Sequence, residues 1–240
     1  MFDHVTIRVS DRAAGRGLYE ILAGPVESSE ETYDEWGDFE IAQADAEHPV
    51  TRNLHIAFVA GSRDEVDARW REAVDAGYES DGDPGPRPQY GREYYGGFLR
   101  DPDGNSAETV YNGPKRLEDG KIDHLWIGVA DLAQQRRFYE KIGPAVGIEI
   151  VSRLADRFHV ADRSRSFAVV ADGRAPTQHL HLAFPAADDE AVARFHRTAT
   201  AAGYRDNGAP GERPEYHPGY VGAFVLDPDG NNIEAVNHNR

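Results

Sequence analysis

The chain has no cysteine among its 240 residues, which excludes disulfides, thiolate metal ligands and a cysteine nucleophile. No run approaches about 18 consecutive apolar residues, so no membrane-spanning helix is expected. Positive charge is scarce, with 26 Lys and Arg against 42 Asp and Glu, for a formal net charge of −16. Such a surface repels nucleic acid and anionic membranes, and neither is expected as a partner. Met1-Phe2-Asp3-His4 runs straight into a strand pattern, without a basic or apolar leader, so a cytoplasmic location is the expectation. The nucleophile elbow, the phosphate-cradling loop, the zincin helix and the dinucleotide fingerprint are also missing. What is present suffices to fold: 40% of residues are hydrophobic and 10% aromatic, which argues against wholesale disorder. The length accommodates two ordinary domains or one large one.

The chain says the same thing twice. Asp101-Pro102-Asp103-Gly104-Asn105 with Glu108 returns 126 positions later (227 − 101) as Asp227-Pro228-Asp229-Gly230-Asn231 with Glu234. Pro fixes φ, Asp offers a side-chain acceptor and Gly tolerates φ > 0, so each copy reads as a turn feeding a strand. Ile122-Asp123-His124-Leu125 repeats Phe2-Asp3-His4-Val5 at an offset of 120 (124 − 4), and His181 repeats His55 at 126 (181 − 55). The offset changes by six, placing a net insertion between the first helix and the second histidine strand of the later copy. A repeat of about 115 residues is too long for a solenoid unit and implies two domains. They are expected at 1–114 and 121–240, joined by a polar linker at about 113–120.

Within each copy the pattern is strand, helix and short strands, given twice. Val5, Ile7 and Val9 alternate with His4, Thr6 and Arg8. Asp11 caps a helix that Gly24-Pro25 ends, and Ser62-Arg63-Asp64-Glu65 reads as a capping box. Residues 82–92, rich in Pro and Gly, read as a loop. The order predicts an α+β fold with helices on one sheet face, leaving the histidine face for a cavity or a partner sheet.

Three residues recur on that second face: His4, His55 and Glu108 in the first copy, and His124, His181 and Glu234 in the second. A lone histidine in such a place is ordinarily structural, and Asp3-His4 alone would read as a strand-end hydrogen bond. Two imidazoles and a carboxylate, repeated as a set, instead match the facial arrangement that holds a divalent ion and leaves positions open to substrate. Fe, Zn, Ni, Mn and Co all suit these donors, and the residues do not choose among them.

Ile122-Asp123-His124, Phe138-Tyr139-Glu140, His181-Leu182-Ala183-Phe184 and Asp227-Pro228-Asp229-Gly230-Asn231 with Glu234 resemble the vicinal oxygen chelate superfamily across essentially the whole chain. That superfamily includes glyoxalase I, methylmalonyl-CoA epimerase, fosfomycin and bleomycin resistance proteins and extradiol dioxygenases. The resemblance implies tandem modules, each of paired β-α-β-β-β units forming a cup-shaped open barrel, with metal ligands on the strands that carry the two triads. It also implies a fourth ligand from the strand of Glu40, a candidate in the first copy; the second copy has Ala168 there. His217, with Tyr216 and Tyr220, corresponds to the loop where dioxygenases of this type keep a proton-handling histidine. The first copy has Gly91 in its place. A tyrosine expected ten residues before the final Glu is here Phe224, which counts against ring cleavage. Arg213, Phe224 and Trp126 are candidates for substrate contact, and Arg213 with Tyr216 reads equally well as a loop fastening.

The function expected is a metal-dependent lyase or isomerase, or a ring-cleaving dioxygenase, acting on a small molecule that chelates the metal through vicinal oxygens. The alternative is a non-catalytic binding protein of the bleomycin-resistance type. Either suits a monomer built as a pseudo-dimer, or a homodimer.

Overall fold

The computed structural model describes residues 1–113, 120–162 and 166–240, so most of the expected linker, residues 114–119, lies outside the described residues. The first repeat gives β1 (Val5–Val9), α1 (Arg12–Ala23), β2 (Ser28–Ser29), β3 (Tyr33–Trp36) and β4 (Phe39–Gln43). It continues with β5 (Leu54–Val59), α2 (Arg63–Asp75), β6 (Ser80–Pro86), β7 (Tyr94–Arg100) and β8 (Ser106–Asn112). The second gives β9 (Ile122–Gly128), α3 (Leu132–Val146), β10 (Glu149–Arg153), β11 (Arg157–Ala161) and β12 (Ser166–Val170). It closes with β13 (His181–Pro185), α4 (Asp189–Ala201), β14 (Asp206–Glu212), β15 (Val221–Leu226) and β16 (Asn232–Asn237). The architecture is α+β with mixed sheets, as expected.

Compactness does not follow the sequence repeats. One unit comprises Met1–Val5 with Trp126–Arg240, the other Thr6–Leu125; they are called here the distal and proximal units. In the distal unit the strands run β14-β15-β16-β13 and β10-β11-β12-β9. The segment before β1 joins the first set: Asp3 N–H donates to the Ala183 carbonyl, and Ala183 N–H to that of His4, both at 2.9 Å. In the proximal unit the strands run β1-β4-β3-β2 and β9-β5-β8-β7-β6, with Lys121, just before β9, accepting from Val59 N–H at 2.9 Å. The first few residues of each sequence repeat are thus spent in a unit made mostly from the other repeat.

Each helix begins where the sequence places a cap. The Asp11 carboxylate accepts from Ala14 N–H at 3.1 Å, and the Ser62 hydroxyl from Glu65 N–H at 3.1 Å. Glu65 reaches back to Gly61 N–H at 2.6 Å, one residue beyond the N-cap N–H that the reciprocal bond of a capping box takes. Gly24 ends α1 at φ 91, where a side chain would be strained. Tyr19 of α1 meets Phe39 and Phe58 in the proximal unit, and Tyr139 of α3 meets Phe167, which stacks on Phe184, in the distal one, all buried. Ring centroids are 4.7 Å apart for Tyr19–Phe39 and 5.0 Å for Phe39–Phe58. Burying each such ring contributes roughly 1.5–3 kcal/mol.

Residues 82–92 are not wholly loop. Ser80–Pro86 is a strand paired antiparallel with β7, its register broken between Ser80 and Gly82 and again between Gly82 and Gly85. Pro and Gly are tolerated because β6 is an edge strand and bulged.

The Asp-Pro-Asp-Gly-Asn turns are structural clamps. Asp101 accepts from the N–H groups of Asp103 and Asn105 at 2.9 and 2.8 Å, while Asn105 accepts from Leu54 N–H at 3.1 Å and donates to Thr51 O at 3.0 Å. Asp227 and Asn231 repeat this, the latter accepting from Leu180 N–H at 3.1 Å. Each clamp pins the start of one histidine strand to the start of a glutamate strand. The parallel registers His55↔Ser106, Ala57↔Glu108 and His181↔Asn232, Ala183↔Glu234 follow.

Candidate functional site

The structure gathers His4, His181 and Glu234 in the distal unit and His55, Glu108 and His124 in the proximal unit, one donor atom of each lying within 4.8 Å of the others. All six triad residues predicted from sequence lie in these two clusters, and each cluster draws its residues from both repeats, a choice the sequence leaves open. His124 joins His55 and Glu108, and His4 joins His181 and Glu234. The cause is the exchange described above: the first few residues of each repeat, His4 and His124 among them, belong to the unit made mostly from the other repeat.

In the distal triad, His181 Nε2 lies 2.9 Å and His4 Nε2 3.6 Å from Glu234 Oε2, and the two rings meet edge to face at 5.1 Å. In the proximal triad, His55 Nε2 lies 3.2 Å and His124 Nε2 3.6 Å from Glu108 Oε2. Both carboxylates are fully buried. Among the described residues their ion pairs run only to these histidines, with no lysine or arginine. A buried carboxylate faced by the Nε2 atoms of two imidazoles is a donor set that suits a divalent cation.

Behind each triad a carboxylate orients the first histidine. Asp3 Oδ1 is 2.9 Å from His4 Nδ1, and Asp123 Oδ1 is 2.8 Å from His124 Nδ1. The carboxylate can only accept, so Nδ1 carries the proton and Nε2 is left as the donor atom facing Glu. Burial pushes the Asp3 carboxyl up, but its hydrogen bonds and charge contacts with His4 and His238 outweigh that and hold it below the usual range.

A buried tyrosine completes each site. Tyr220 donates to Glu234 Oε1 at 2.7 Å, and Tyr94 donates to Glu108 at 2.8 and 2.9 Å. Burial first, then the neighbouring Glu charge, raises both phenols far above their ordinary value, so they stay protonated donors. Position 224, ten residues before Glu234, is Phe, and the phenol bonded to Glu234 is Tyr220, four residues earlier. Phe224 packs its ring 6.1 Å from that of His181.

Glycine makes room for the carboxylates. A Cβ at Gly222 would lie 2.7 Å from Glu234 Oε1, and one at Gly96 would collide with Glu108 Oε1. The sequence reading missed Gly96 and Gly222; the recurrence of Tyr94-x-Gly96 as Tyr220-x-Gly222 at the offset of 126 was the available signal.

The other predicted residues lie elsewhere. Glu40 accepts from the Thr6 hydroxyl at 2.7 Å. It sits on β4, in the strand set that lacks β5 and β8, and does not join His55, Glu108 and His124. Arg213 donates to the carbonyls of Ala209 and Glu212 at 2.8 and 3.2 Å and lies over the Phe224 ring. Arg87 does the same to Asp83, Pro86 and Phe98, so this arginine fastens its loop in both units. Tyr216 is exposed, its ring tilted by 50° against that of Tyr220 with centroids 4.8 Å apart. The guanidinium groups of Arg157 and Arg174 each lie over the Trp126 ring, at 5.3 and 5.2 Å from its centroid. His217 stands behind the triad, its Nε2 2.8 Å from His238 Nδ1, and His238 Nε2 is 2.8 Å from Asp3 Oδ2. His238 was not foreseen, since position 112 in the first repeat is Asn.

A family model described as the Glyoxalase/Bleomycin resistance protein/Dioxygenase superfamily matches residues 1–109 and 121–235. Glyoxalase I from Zea mays superposes with a TM-score of 0.72 at 18% identity, over 99% of this chain and 92% of that one. A putative dioxygenase from Bacillus subtilis subsp. subtilis str. 168 gives 0.63 at 14% identity, over 98% and 84%. At such identities the likeness is one of fold. No curated protein matches the chain, and no helix among the described residues is long and apolar enough to cross a membrane.

Proposed function

The chain belongs to the glyoxalase/bleomycin resistance protein/dioxygenase superfamily, and from that membership we propose a metal-dependent enzyme acting on a small substrate with two neighbouring oxygens. The observation that carries this reading is the pair of convergent donor sets, His4, His181, Glu234 and His55, Glu108, His124. Fe, Zn, Ni, Mn and Co are the ions such sets hold with positions left open. When bound, the ion supplies Lewis acidity, lowering the energy of negative charge on an enolate or catecholate oxygen.

The rest is work for side chains. Tyr220 keeps its proton on Oη and donates it to Glu234 Oε1, leaving Oε2 turned toward the imidazoles. Tyr94 holds Glu108 through both carboxylate oxygens, at 2.8 and 2.9 Å. A buried carboxylate held by a phenol and facing two imidazoles suits removal and return of a proton beside a carbonyl, so lyase or isomerase chemistry is the first reading. Ring cleavage of a catechol is the second, favoured by the Tyr220 phenol 2.7 Å from Glu234. The absence of cysteine suits the cytoplasmic setting we assign to this activity.

The test is metal content by elemental mass spectrometry on untagged protein and on His4→Ala, His181→Ala, His55→Ala and His124→Ala. About two metals per chain are expected in the wild type and about one in each variant. Combining His4→Ala with His181→Ala should cost no more metal than either alone, whereas His4→Ala with His55→Ala should strip both sites. Bound iron directs assays to oxygen uptake with catechols, and the other metals to proton exchange and carbon–sulfur or epimerase assays. A wild type that holds no metal after reconstitution overturns the proposal.

A further inference from the structure

Donors and acceptors behind the distal triad can be counted. His238 Nε2 faces the Asp3 carboxylate at 2.8 Å, so that nitrogen must carry a proton. His217 Nδ1 faces the Pro218 carbonyl at 2.8 Å, so it too must carry one. The remaining contact, His217 Nε2 to His238 Nδ1 at 2.8 Å, needs one more. Three protons on two imidazoles make one positive charge, shared by a pair of rings stacked 15° from parallel with centroids 5.1 Å apart. The chain then runs from this cation to Asp3 and from Asp3 Oδ1 to His4 Nδ1 at 2.9 Å.

The proximal unit keeps only the end of this chain. Asp123 bonds His124 at 2.8 Å, but Gly91 and Asn112 stand where His217 and His238 stand in the distal unit. A Cβ at Gly91 would lie 3.5 Å from Asn112 Oδ1, so the two positions are neighbours there as well, without the rings.

We infer that His217 and His238 form a proton-sharing cationic pair that positions Asp3 and, through it, His4, making the distal triad the tighter metal site. Both are positioning residues and neither touches the ion. The inference rests on the metal-binding reading above and deepens it. A carboxylate fixed from behind holds the ligand ring in one tautomer and orientation, and losing such a partner typically weakens metal binding about 10–100-fold.

The experiment is a cobalt(II) titration at fixed pH, read by visible absorption, in the His55→Ala background, where only the distal site remains. His238→Asn, the residue the proximal unit carries, should weaken cobalt binding about tenfold or more. His238→Gln, whose amide reaches the Nε2 position and can still donate to Asp3, should restore most of it. His217→Gly, on the exposed loop, should give a smaller loss. The matching titration in the His181→Ala background should show a weaker proximal site that His238→Asn leaves unchanged. Separately, ¹⁵N NMR of the metal-free protein should show three protonated ring nitrogens over His217 and His238, and a protonated Nδ1 on His4 that becomes mixed in His238→Asn. Cobalt binding by the wild type with equal affinity in His238→Asn overturns this inference and leaves the metal reading intact. A wild type that binds no cobalt removes both.

Discussion

The distal and proximal units carry the same triad, an equivalent tyrosine on the carboxylate and an equivalent glycine beside it, yet they differ one layer out. The distal triad is backed by His217, His238 and Asp3; the proximal one has Gly91, Asn112 and Asp123 at those places. The clamp turns differ in the same manner. Asp101 accepts from the Tyr19 hydroxyl at 3.0 Å, whereas Asp227 accepts from the Gln135 amide at 3.1 Å, and the equivalent Tyr139 hydroxyl has no partner among the described residues. A duplicated fold therefore holds its donor geometry by more than one surrounding network. The difference between the networks is where two similar sites acquire unequal properties.

The sharpest way to break the comparison is to remove one carboxylate at a time. Glu234→Gln should cut metal affinity of the distal site at least about 100-fold, more than an outer partner is worth, and leave the proximal site alone; Glu108→Gln should do the reverse. Titrations with a metal chelator in competition read both. If Glu234→Gln emptied the site of His55 instead, the grouping across repeats would be wrong. A smaller effect is expected from Gly222→Ala, whose methyl would press within 2.7 Å of Glu234 Oε1 and turn the carboxylate from His181. About a tenfold loss at the distal site is expected, with Tyr220 fluorescence reporting the displaced hydrogen bond. Unchanged affinity would mean the carboxylate has room to move.

Much of this was legible in the sequence. Strand alternation put Val5, Ile7 and Val9 inward, and the structure buries them almost completely. The repeated Asp-Pro-Asp-Gly-Asn marked both clamps, and six repeated residues marked both donor sets. What stayed hidden depends on pairing between distant segments. Nothing local in Asp123-His124 says whether the strand will lie beside β13 or β5, because both histidine strands offer the same alternation. His238 was invisible for a related reason: it lies in a C-terminal segment with no periodic pattern, and its role appears only once Asp3, 235 positions away, is beside it. Ser80–Pro86 was misread because Pro and Gly signal turns locally, while an edge strand tolerates both.

The finest test of the comparison is the pair of buried tyrosines. Tyr19→Phe removes a hydroxyl that donates to Asp101 Oδ2. That oxygen keeps the Asn105 amide at 2.9 Å, so the cost is that of one hydrogen bond to a charged group, roughly 1.5–3 kcal/mol. Tyr139→Phe removes a hydroxyl that bonds nothing among the described residues, and Asp227 retains Gln135 and Asn231, at 3.1 Å each. Deleting an unpaired buried polar group is neutral or stabilising by up to about 1 kcal/mol. Denaturant midpoints of the two variants should therefore move apart, Tyr19→Phe downward and Tyr139→Phe unchanged or upward. Gly15→Gln, which gives α1 the residue found at position 135, should then recover part of the Tyr19→Phe loss, because its amide can reach Asp101 as Gln135 reaches Asp227. Equal losses in the two tyrosine variants would show that both hydroxyls are paired, and that the clamps are satisfied alike after all.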